Sequence, residues 1–302
     1  MFQENVPLSQ YSNYKIGGPA RFFIEVKSVE ETITAVQEAK RRNLSIFILG
    51  GSTNLLISDD GFSGLVIKVG FSQIVKNSES LVVAGAGVLV KNFLNFGIEN
   101  SLSGFEWAGG LPGTMGGAVW GNAGAFGGEM KDSVVEVVSI DLQSGTLIKR
   151  TNAQCQFGYR NSIFKINTIK GIFEVIAEIT IRVKNGDKEA IRSAMAEKIN
   201  YRVARQPLDY PNIGSIFKNI DVKRLSAETL KKFEHKIKMD PFPVLPTAVL
   251  IDAAGLKERA VGGAMVSPKH PNFIINATGK ATAAEVKALM EIIRAEIKKQ
   301  FG

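Results

Sequence analysis

Cysteine and histidine are scarce in this sequence, whose 302 residues include one cysteine and two histidines. The single cysteine, Cys155, cannot form a disulfide within the chain, so a fold stabilised by internal disulfides is excluded. With only His235 and His270 beside it, a zinc or iron–sulfur centre built from the usual ligands is not expected either.

One stretch without charged residues, residues 107–128, is 22 residues long, which is enough for a transmembrane helix. Nine of these residues are glycine and one is Pro112, so a helix across a lipid bilayer is excluded and a loop system is expected. The chain opens on a polar segment and not on a cationic, then apolar leader. We therefore expect a cytoplasmic protein that does not bind membranes.

The overall composition is that of a globular protein, with 45% hydrophobic and 22% charged residues. A length near 300 favours two or three domains. The net charge of +8 suits either nucleic acid or phosphorylated small molecules as partners. The densest basic segment, residues 218–238, mixes both signs of charge, which is typical of a solvated helix face. Binding to nucleic acid is therefore not expected.

The N-terminal pattern predicts a β-α-β arrangement. Residues 22–26 read as a strand, Ser28 and Glu31 form a capping box for a helix to about Asn43, and Ile46–Leu49 read as a buried strand. Further strand patterns extend along the chain to residue 183, namely at residues 65–69, 81–84, 134–141, 146–149 and 173–183.

The C-terminal pattern begins after a polar, turn-like segment at residues 184–187, where we place a domain boundary. A helix is predicted over Lys188–Arg205, and residues 220–244 resemble an inserted surface helix that stops at Pro241, Phe242 and Pro243. The last helix is predicted from the capping box of Thr282 and Glu285 and from apolar residues along one face. Oligomerisation is not indicated, because no coiled-coil heptads are present, and we expect a monomer.

The segment Gly50-Gly51-Ser52-Thr53-Asn54 follows the second strand directly. Small residues there allow backbone N–H groups to converge on an anion, as in a phosphate-binding nest. A tight turn without a ligand explains the segment equally well, because it is neither a P-loop nor a dinucleotide fingerprint.

A second glycine-rich segment is more specific. Ten of the 30 glycines fall in residues 104–128, although each glycine costs a folded segment about 0.5–1 kcal/mol relative to alanine. Such density is expected where the backbone must pass close to a flat or phosphorylated ligand. We therefore predict a ligand cradle, to which Thr114 and Asn122 could add side-chain hydrogen bonds.

Six motifs in order resemble one enzyme family: YKIGGPARF from Tyr14, the Gly50 segment, GLPGTMGG, GNAGAFG, FGYRNSIFK and GSIFKN. Together they are similar to UDP-N-acetylenolpyruvoylglucosamine reductases (MurB) over nearly the whole chain. The resemblance implies an α+β fold: a vanillyl-alcohol-oxidase (PCMH) type FAD-binding domain of two α/β subdomains, residues 1–70 and 71–185, and an α/β substrate-binding domain, residues 186–302. It assigns FAD contacts to Gly50, Gly51, Ser52, Thr53, Asn54, Gly113, Thr114, Gly116, Gly117, Asn122, Ala123 and Gly124.

The family's reaction is the NADPH-driven reduction of UDP-N-acetylglucosamine enolpyruvate to UDP-N-acetylmuramate, in peptidoglycan synthesis. Arg160 matches the residue that stabilises charge on the substrate carboxylate, and Ser215 matches the proton donor. Substrate contacts are expected at Tyr159, Lys218 and Asn219. FAD is expected to bind non-covalently, because neither histidine nor Cys155 lies near the glycine segments.

The sequence departs from the family pattern at its C-terminus. A short strand with a catalytic glutamate usually follows the last helix, whereas this sequence ends at Phe301-Gly302. Glu285, Glu291 and Glu296 lie on the helix itself and do not match. This leaves one alternative open, a flavin- or UDP-sugar-binding homologue with impaired catalysis. An oxidase with covalently attached FAD is a further alternative, which the positions of Cys155 and the histidines disfavour.

Overall fold

The computed structural model describes residues 2–240 and 242–302. Contacts between residues divide the chain into two compact units. The first contains the residues as far as Val6, Ala20–Gly51 and Phe62–Arg202, and the second contains Pro7–Pro19, Ser52–Gly61 and Val203–Gly302. This grouping differs from the predicted consecutive segments 1–70, 71–185 and 186–302, because two short N-terminal segments pack with the C-terminal residues.

The first sheet of the N-terminal unit has the order β1-β2-β4-β3, in which β2 and β3 both run parallel to β4. Its elements are β1 (Gln3–Pro7), β2 (Pro19–Val26), α1 (Val29–Arg41), β3 (Ile46–Leu49) and β4 (Phe62–Val69). The β-α-β prediction is confirmed by β2, α1 and β3.

Helix α1 begins and ends for local reasons. The Ser28 hydroxyl accepts the Glu31 N–H at 3.2 Å, as the predicted capping box requires. The Glu31 carboxylate accepts the Lys27 N–H at 2.6 Å, and not the Ser28 N–H that a capping box would pair with it. The helix ends at Arg41 and not at Asn43, because Asn43 takes a left-handed conformation with φ of 52°.

The second sheet is antiparallel, with the order β11-β10-β12-β6-β5. Together with the surrounding elements it comprises β5 (Ile74–Ser78), β6 (Leu81–Gly85), α2 (Val90–Glu99), β7 (Leu102–Ser103), α3 (Met115–Trp120), β8 (Gly124–Ala125), β9 (Gly128–Glu129), α4 (Met130–Ser133), β10 (Val134–Asp141), β11 (Leu147–Thr151), α5 (Ile163–Ile169), β12 (Glu174–Arg182), β13 (Lys184–Asn185) and α6 (Lys188–Arg205). The predicted turn at residues 184–187 contains β13, which pairs with β7.

A largely buried ion pair joins strands β11 and β12 across β10, which lies between them in this sheet. The Arg150 guanidinium donates twice to the Glu174 carboxylate, at 2.6 and 3.0 Å. Ser139 and Asn167 donate to the same carboxylate at 2.6 and 2.9 Å. Because every carboxylate oxygen has a donor, the charge is compensated despite its burial.

The C-terminal unit is built around α9 (Ala283–Phe301) and a small antiparallel sheet of order β16-β17-β18. In chain order it adds β14 (Ile220–Asp221), α7 (Ala227–Phe233), β15 (Val244–Leu245), α8 (Thr247–Ala253), β16 (Ala260–Val261), β17 (Ala264–Val266) and β18 (Ile274–Asn276). The Thr282–Glu285 capping box is confirmed, and the apolar face of α9 buries Val286, Leu289 and Ile293, with Met290 and Ile297 partly buried beside them.

Residues 220–244 are more than the surface helix that the sequence suggested. Strand β14 pairs with β15, and α7 buries Thr229 and Phe233. The Thr229 hydroxyl donates to the Phe301 carbonyl at 3.0 Å, and the Phe233 and Phe301 rings lie 5.6 Å apart. The segment therefore covers the end of α9. Of the predicted stop, Pro241 lies outside the described residues.

Candidate functional site

Two glycine-rich loops meet at the carboxyl end of β3. A Cβ atom added to Gly51 would lie 2.8 Å from the Gly113 Cα, and one added to Gly50 would lie 3.0 Å from the Thr114 Oγ1. Gly113 itself has a φ of 100°, which side chains other than glycine rarely adopt. The structure thus brings together the two segments that the sequence singled out, and it does so through backbone contact.

The loop after β3 leaves polar groups without partners. The Ser52 hydroxyl is buried and has no hydrogen-bond partner among the described residues, and its φ of 48° is left-handed. Within the same described part of the chain, the N–H groups of Gly51, Ser52 and Thr53 have no acceptor. Unpartnered N–H groups on a loop at a strand's carboxyl end suit a phosphate-bearing ligand.

Several glycines of the second segment serve packing. The Gly116 N–H donates to the Ala86 carbonyl at 2.9 Å, and a Cβ there would lie 2.7 Å from the Ala86 Cβ. The Gly117 N–H donates to the Thr114 hydroxyl at 3.3 Å, which caps α3. Ala123 connects helices α3 and α4, since its N–H donates to the Ala118 carbonyl and its own carbonyl accepts the Met130 N–H. These residues position the loop, because their hydrogen bonds to other described residues run within the protein.

Asn122 is fully buried, and its side chain has partners inside the protein. Its Nδ2 donates to Glu129 at 2.8 Å and to the Gly158 carbonyl at 3.0 Å, and its Oδ1 accepts the Lys131 N–H at 3.0 Å. The sequence suggested a hydrogen bond from this amide to the ligand. In the structure the amide instead fixes the turn that carries Arg160.

Arg160 lies at the tip of a tight turn closed by two hydrogen bonds between Gly158 and Asn161, at 3.0 and 3.1 Å. Its φ of 54° is left-handed, and its Nη2 donates to the Gly124 carbonyl at 2.8 Å. The guanidinium also lies 5.2 Å from the centre of the Tyr159 ring. A Cβ on Gly124 would lie 3.2 Å from the Arg160 Nη1, so this glycine makes room for the arginine.

In the C-terminal unit, Ser215 is exposed on an irregular segment that asparagines hold from several sides. The Asn212 Oδ1 accepts the Gly214 N–H at 3.0 Å, and the Asn54 Nδ2 donates to the Ile213 carbonyl at 2.9 Å. The Asn13 Nδ2 donates to the Asn212 carbonyl at 2.6 Å. The side chain of Asn54, predicted to contact the cofactor, is thus bonded to the segment that carries Ser215.

The other predicted substrate contacts follow on the same segment. Thr247, at the start of α8, donates its hydroxyl to the Lys218 carbonyl at 2.5 Å, and its N–H donates to the Asn219 Oδ1 at 3.4 Å. The Lys218 side chain is exposed. Thr247 therefore fixes the backbone from which Lys218 and Asn219 extend.

Sequence reasoning missed the residues that hold these loops. Arg202 at the end of α6 donates from Nε to the Gly109 carbonyl at 2.8 Å, and Asn272 bonds to Phe217 through both atoms of its amide. The sequence did carry a signal for Asn272, because this polar residue directly precedes the apolar run Phe273-Ile274-Ile275. Arg202 carried no such signal, because its partner is a backbone carbonyl far away along the chain.

His270 lies on the loop before β18 and accepts the Asn272 N–H on Nδ1 at 3.3 Å. Burial, with a smaller effect of the Lys238 charge, lowers the pKa of His270 below its usual 6.5. The neutral form is thus favoured by folding, so its contribution to stability is complete above about pH 6.5 and is lost as the pH falls toward the folded-state pKa. We expect the variant His270→Gln to lose less stability between pH 7.5 and pH 5 than the wild type.

Urea unfolding of both proteins at the two pH values measures this difference. Ionisable groups elsewhere contribute equally to both proteins, so the comparison isolates His270. An equal loss of stability in both would contradict the assignment.

Comparisons with known proteins agree with this geometry. A family profile described as "FAD binding domain" matches residues 20–151, and the C-terminal domain of UDP-N-acetylenolpyruvoylglucosamine reductase (MurB) matches residues 206–302. The reductase of Lachnoclostridium phytofermentans is 37% identical over 99% of this chain and 88% of its own length. That of Caldanaerobacter subterraneus is 36% identical over 99% of this chain and 89% of its own. The crystal structure of MurB from Thermus caldophilus has a TM-score of 0.78 at 29% identity, covering 98% of this chain and 96% of the other.

The fold and the paired glycine loops define a flavoprotein, with a PCMH-type FAD-binding domain followed by an α/β substrate-binding domain. The chain belongs to the UDP-N-acetylenolpyruvoylglucosamine reductase (MurB) family. The residues present fit FAD, because a Cβ on Gly51 would meet the Gly113 backbone, Gly113 itself has a positive φ, and the Ser52 hydroxyl lacks a partner within the described chain. Burial raises the pKa of the Cys155 thiol to about 11, so it stays protonated at neutral pH, in keeping with non-covalent binding.

We expect the variant Gly51→Ala to bind FAD about 5- to 150-fold more weakly. Its methyl group would have to displace the backbone at Gly113, and forced overpacking costs about 1–3 kcal/mol. Fluorescence titration of the apoprotein with FAD measures the change. Gly121→Ala is the matched control, since a Cβ there would meet nothing closer than 3.7 Å. Equal affinities in the two variants would show that the approach of the loops does not govern binding.

Proposed function

We propose that this protein catalyses the NADPH-driven reduction of UDP-N-acetylglucosamine enolpyruvate to UDP-N-acetylmuramate, a step of peptidoglycan synthesis. The observation that carries the proposal is the meeting of the two glycine loops beside unpartnered N–H groups, in a chain of the MurB family. FAD, when bound, supplies the hydride chemistry, accepting hydride from NADPH and delivering it to the enolpyruvyl double bond.

Arg160 is proposed to hold the carboxylate of the enolpyruvyl group. Addition of hydride to the double bond builds negative charge on that carboxylate, as an enediolate. A forked, permanently charged donor stabilises such charge better than a lysine does. The contact with Gly124 and the Asn122–Gly158 hydrogen bond hold the guanidinium in place, so little reorganisation is needed during the reaction.

Ser215 is proposed to donate the proton that completes the reduction. A serine hydroxyl is a weak acid, but the enediolate is a strong base, and a positioned donor need only be within hydrogen-bond reach of it. The Ser215 hydroxyl has no hydrogen-bond partner among the described residues, while the backbone on both sides is fixed. It is therefore available to substrate.

Tyr159, Lys218 and Asn219 are proposed to contact the UDP-sugar. Lys218 is an exposed cation that suits a phosphate, and Asn219 offers an amide to a sugar hydroxyl or carboxylate. We further propose that the protein acts as a monomer in the cytoplasm, and that its product serves cell-wall synthesis, cell shape and division. In the described part of the chain, the helices are too short or too polar to cross a membrane.

Anaerobic spectroscopy of the purified holoprotein tests the proposal. NADPH should bleach the flavin bands, and addition of the enolpyruvyl UDP-sugar should restore them while UDP-N-acetylmuramate forms. UDP-N-acetylglucosamine, which lacks the enolpyruvyl group, is the control and should leave the bands bleached. Flavin that binds and bleaches but is never reoxidised by the enolpyruvyl sugar would overturn the proposed reaction in favour of a binding protein.

A further inference from the structure

Asn272 pairs with Phe217 as a neighbouring strand would. The Phe217 N–H donates to the Asn272 Oδ1 at 3.0 Å, and the Asn272 Nδ2 donates to the Phe217 carbonyl at 2.8 Å. The Ile216 N–H donates to the Asn272 carbonyl at 2.9 Å. Ile216 and Phe217 lie outside any strand, so no neighbouring strand fixes them through backbone hydrogen bonds. The buried residue Asn272 supplies equivalent hydrogen bonds in its place.

Ser215 therefore lies between two fixed points. On its N-terminal side, Gly214 has a φ of 79° and is bonded to the Asn212 side chain. On its C-terminal side, Ile216 and Phe217 are bonded to Asn272. Between them the exposed Ser215 hydroxyl has no partner in the described chain, so the backbone is fixed on both sides of a residue whose side chain is free.

Asn272 is itself held by its own loop. Its N–H donates to the His270 Nδ1, and the Ser267 hydroxyl accepts the N–H groups of Lys269 and His270 at 3.1 and 3.2 Å. With 3% of its surface exposed, Asn272 has little room to move. The contact to Phe217 is thus present before any substrate binds.

We propose that Asn272 is a positioning residue for Ser215. By fixing the backbone at Ile216 and Phe217, Asn272 holds the Ser215 hydroxyl at the position from which it protonates the substrate. The inference rests on the proposed function of Ser215. A proton donor must lie about 2.6–3.2 Å from its acceptor. A displacement of about 1 Å lowers a rate by roughly 10²-fold, so loss of the Phe217 contacts should act on the chemical step.

The test compares Asn272→Ala with a matched control, Asn276→Ala, in the full-length holoprotein. Asn276 is equally buried in the same unit, and its amide also makes two bonds to backbone, to the Tyr14 carbonyl at 3.2 Å and from the Ala281 N–H at 3.0 Å. Neither bond touches the Ser215 segment. A merely structural effect should therefore be similar in the two variants.

For Asn272→Ala we expect the rate of flavin reoxidation by the enolpyruvyl UDP-sugar to fall by about 10²-fold. Reduction of the flavin by NADPH should stay within about twofold of wild type. Hydrogen exchange should rise at the Ile216 and Phe217 amides, whereas Asn276→Ala should leave both half-reactions and these amides unchanged. If Asn272→Ala does not fold, Asn272→Gln, which keeps the amide but lengthens the side chain, carries the same expectation.

Two other results would overturn the inference, and they are distinguishable. Wild-type protein that never reduces the enolpyruvyl sugar would remove the proposed function and this role with it. Normal turnover by wild type, together with an unchanged reoxidation rate in Asn272→Ala or an equal fall in Asn276→Ala, would remove the positioning role alone.

Discussion

Replacement of Ser215 by alanine should lower the rate of flavin reoxidation by the enolpyruvyl UDP-sugar by about 10²–10⁴-fold, the usual contribution of a positioned acid. Reduction of the flavin by NADPH should be unaffected, because in the proposed mechanism Ser215 donates its proton only to the second substrate. The fold should also be unaffected, since the Ser215 hydroxyl makes no hydrogen bond within the described chain.

Stopped-flow absorbance under anaerobic conditions separates these two half-reactions. Ser144→Ala is the control, because Ser144 is also exposed but lies in the turn between β10 and β11. A Ser215→Ala variant that reoxidises at the wild-type rate would show that another group, or water, delivers the proton.

Replacement of Arg160 by lysine should lower the same rate by about 10²–10³-fold, comparable with the loss of one donor from an oxyanion site. Lysine keeps the positive charge but loses the fork, and with it the hydrogen bond to Gly124 that aims the guanidinium. Because the proposed interaction of Arg160 with the substrate carboxylate strengthens as charge develops, the fall should appear in kcat more than in KM.

Steady-state kinetics at varied concentrations of the enolpyruvyl UDP-sugar measures the separate effects on kcat and KM. Arg182→Lys makes the same change at the exposed end of β12 and should stay within about twofold of wild type. A rise in KM alone for Arg160→Lys would mean that Arg160 binds substrate without stabilising the developing charge.

Some elements were predictable because their signals are local. The capping residues Ser28 and Thr282 hydrogen-bond to N–H groups three residues away, so their helices start where the sequence places them. Strand β10 and helix α6 have the predicted bounds for a similar reason. The spacing of their apolar residues depends only on neighbours within the same strand or helix. Strand β5 was missed, because all of its residues except Ile74 are exposed and its place in the sheet depends on pairing with β6.

The roles of individual amides were harder to predict, because an asparagine side chain suits a ligand and a backbone equally well. Asn54 and Asn122 were both predicted to contact the cofactor. The structure gives the first a partner at Ile213 and the second partners at Glu129 and Gly158. Which partner an amide takes depends on which backbone lies beside it after folding.

The sequence by itself determined helices α1, α6 and α9, strands β2, β3, β4, β6, β10, β11 and β12, and the two glycine segments as places where backbone approaches a ligand. Only the tertiary structure decided that Gly51 meets Gly113, that Pro7–Pro19 and Ser52–Gly61 pack with the C-terminal unit, and that Asn272 holds the segment of Ser215. The physical reason is the separation along the sequence between the residues that interact. Caps and periodicity act between residues a few positions apart, whereas these contacts join distant segments whose pairing is fixed by the packing of the whole unit.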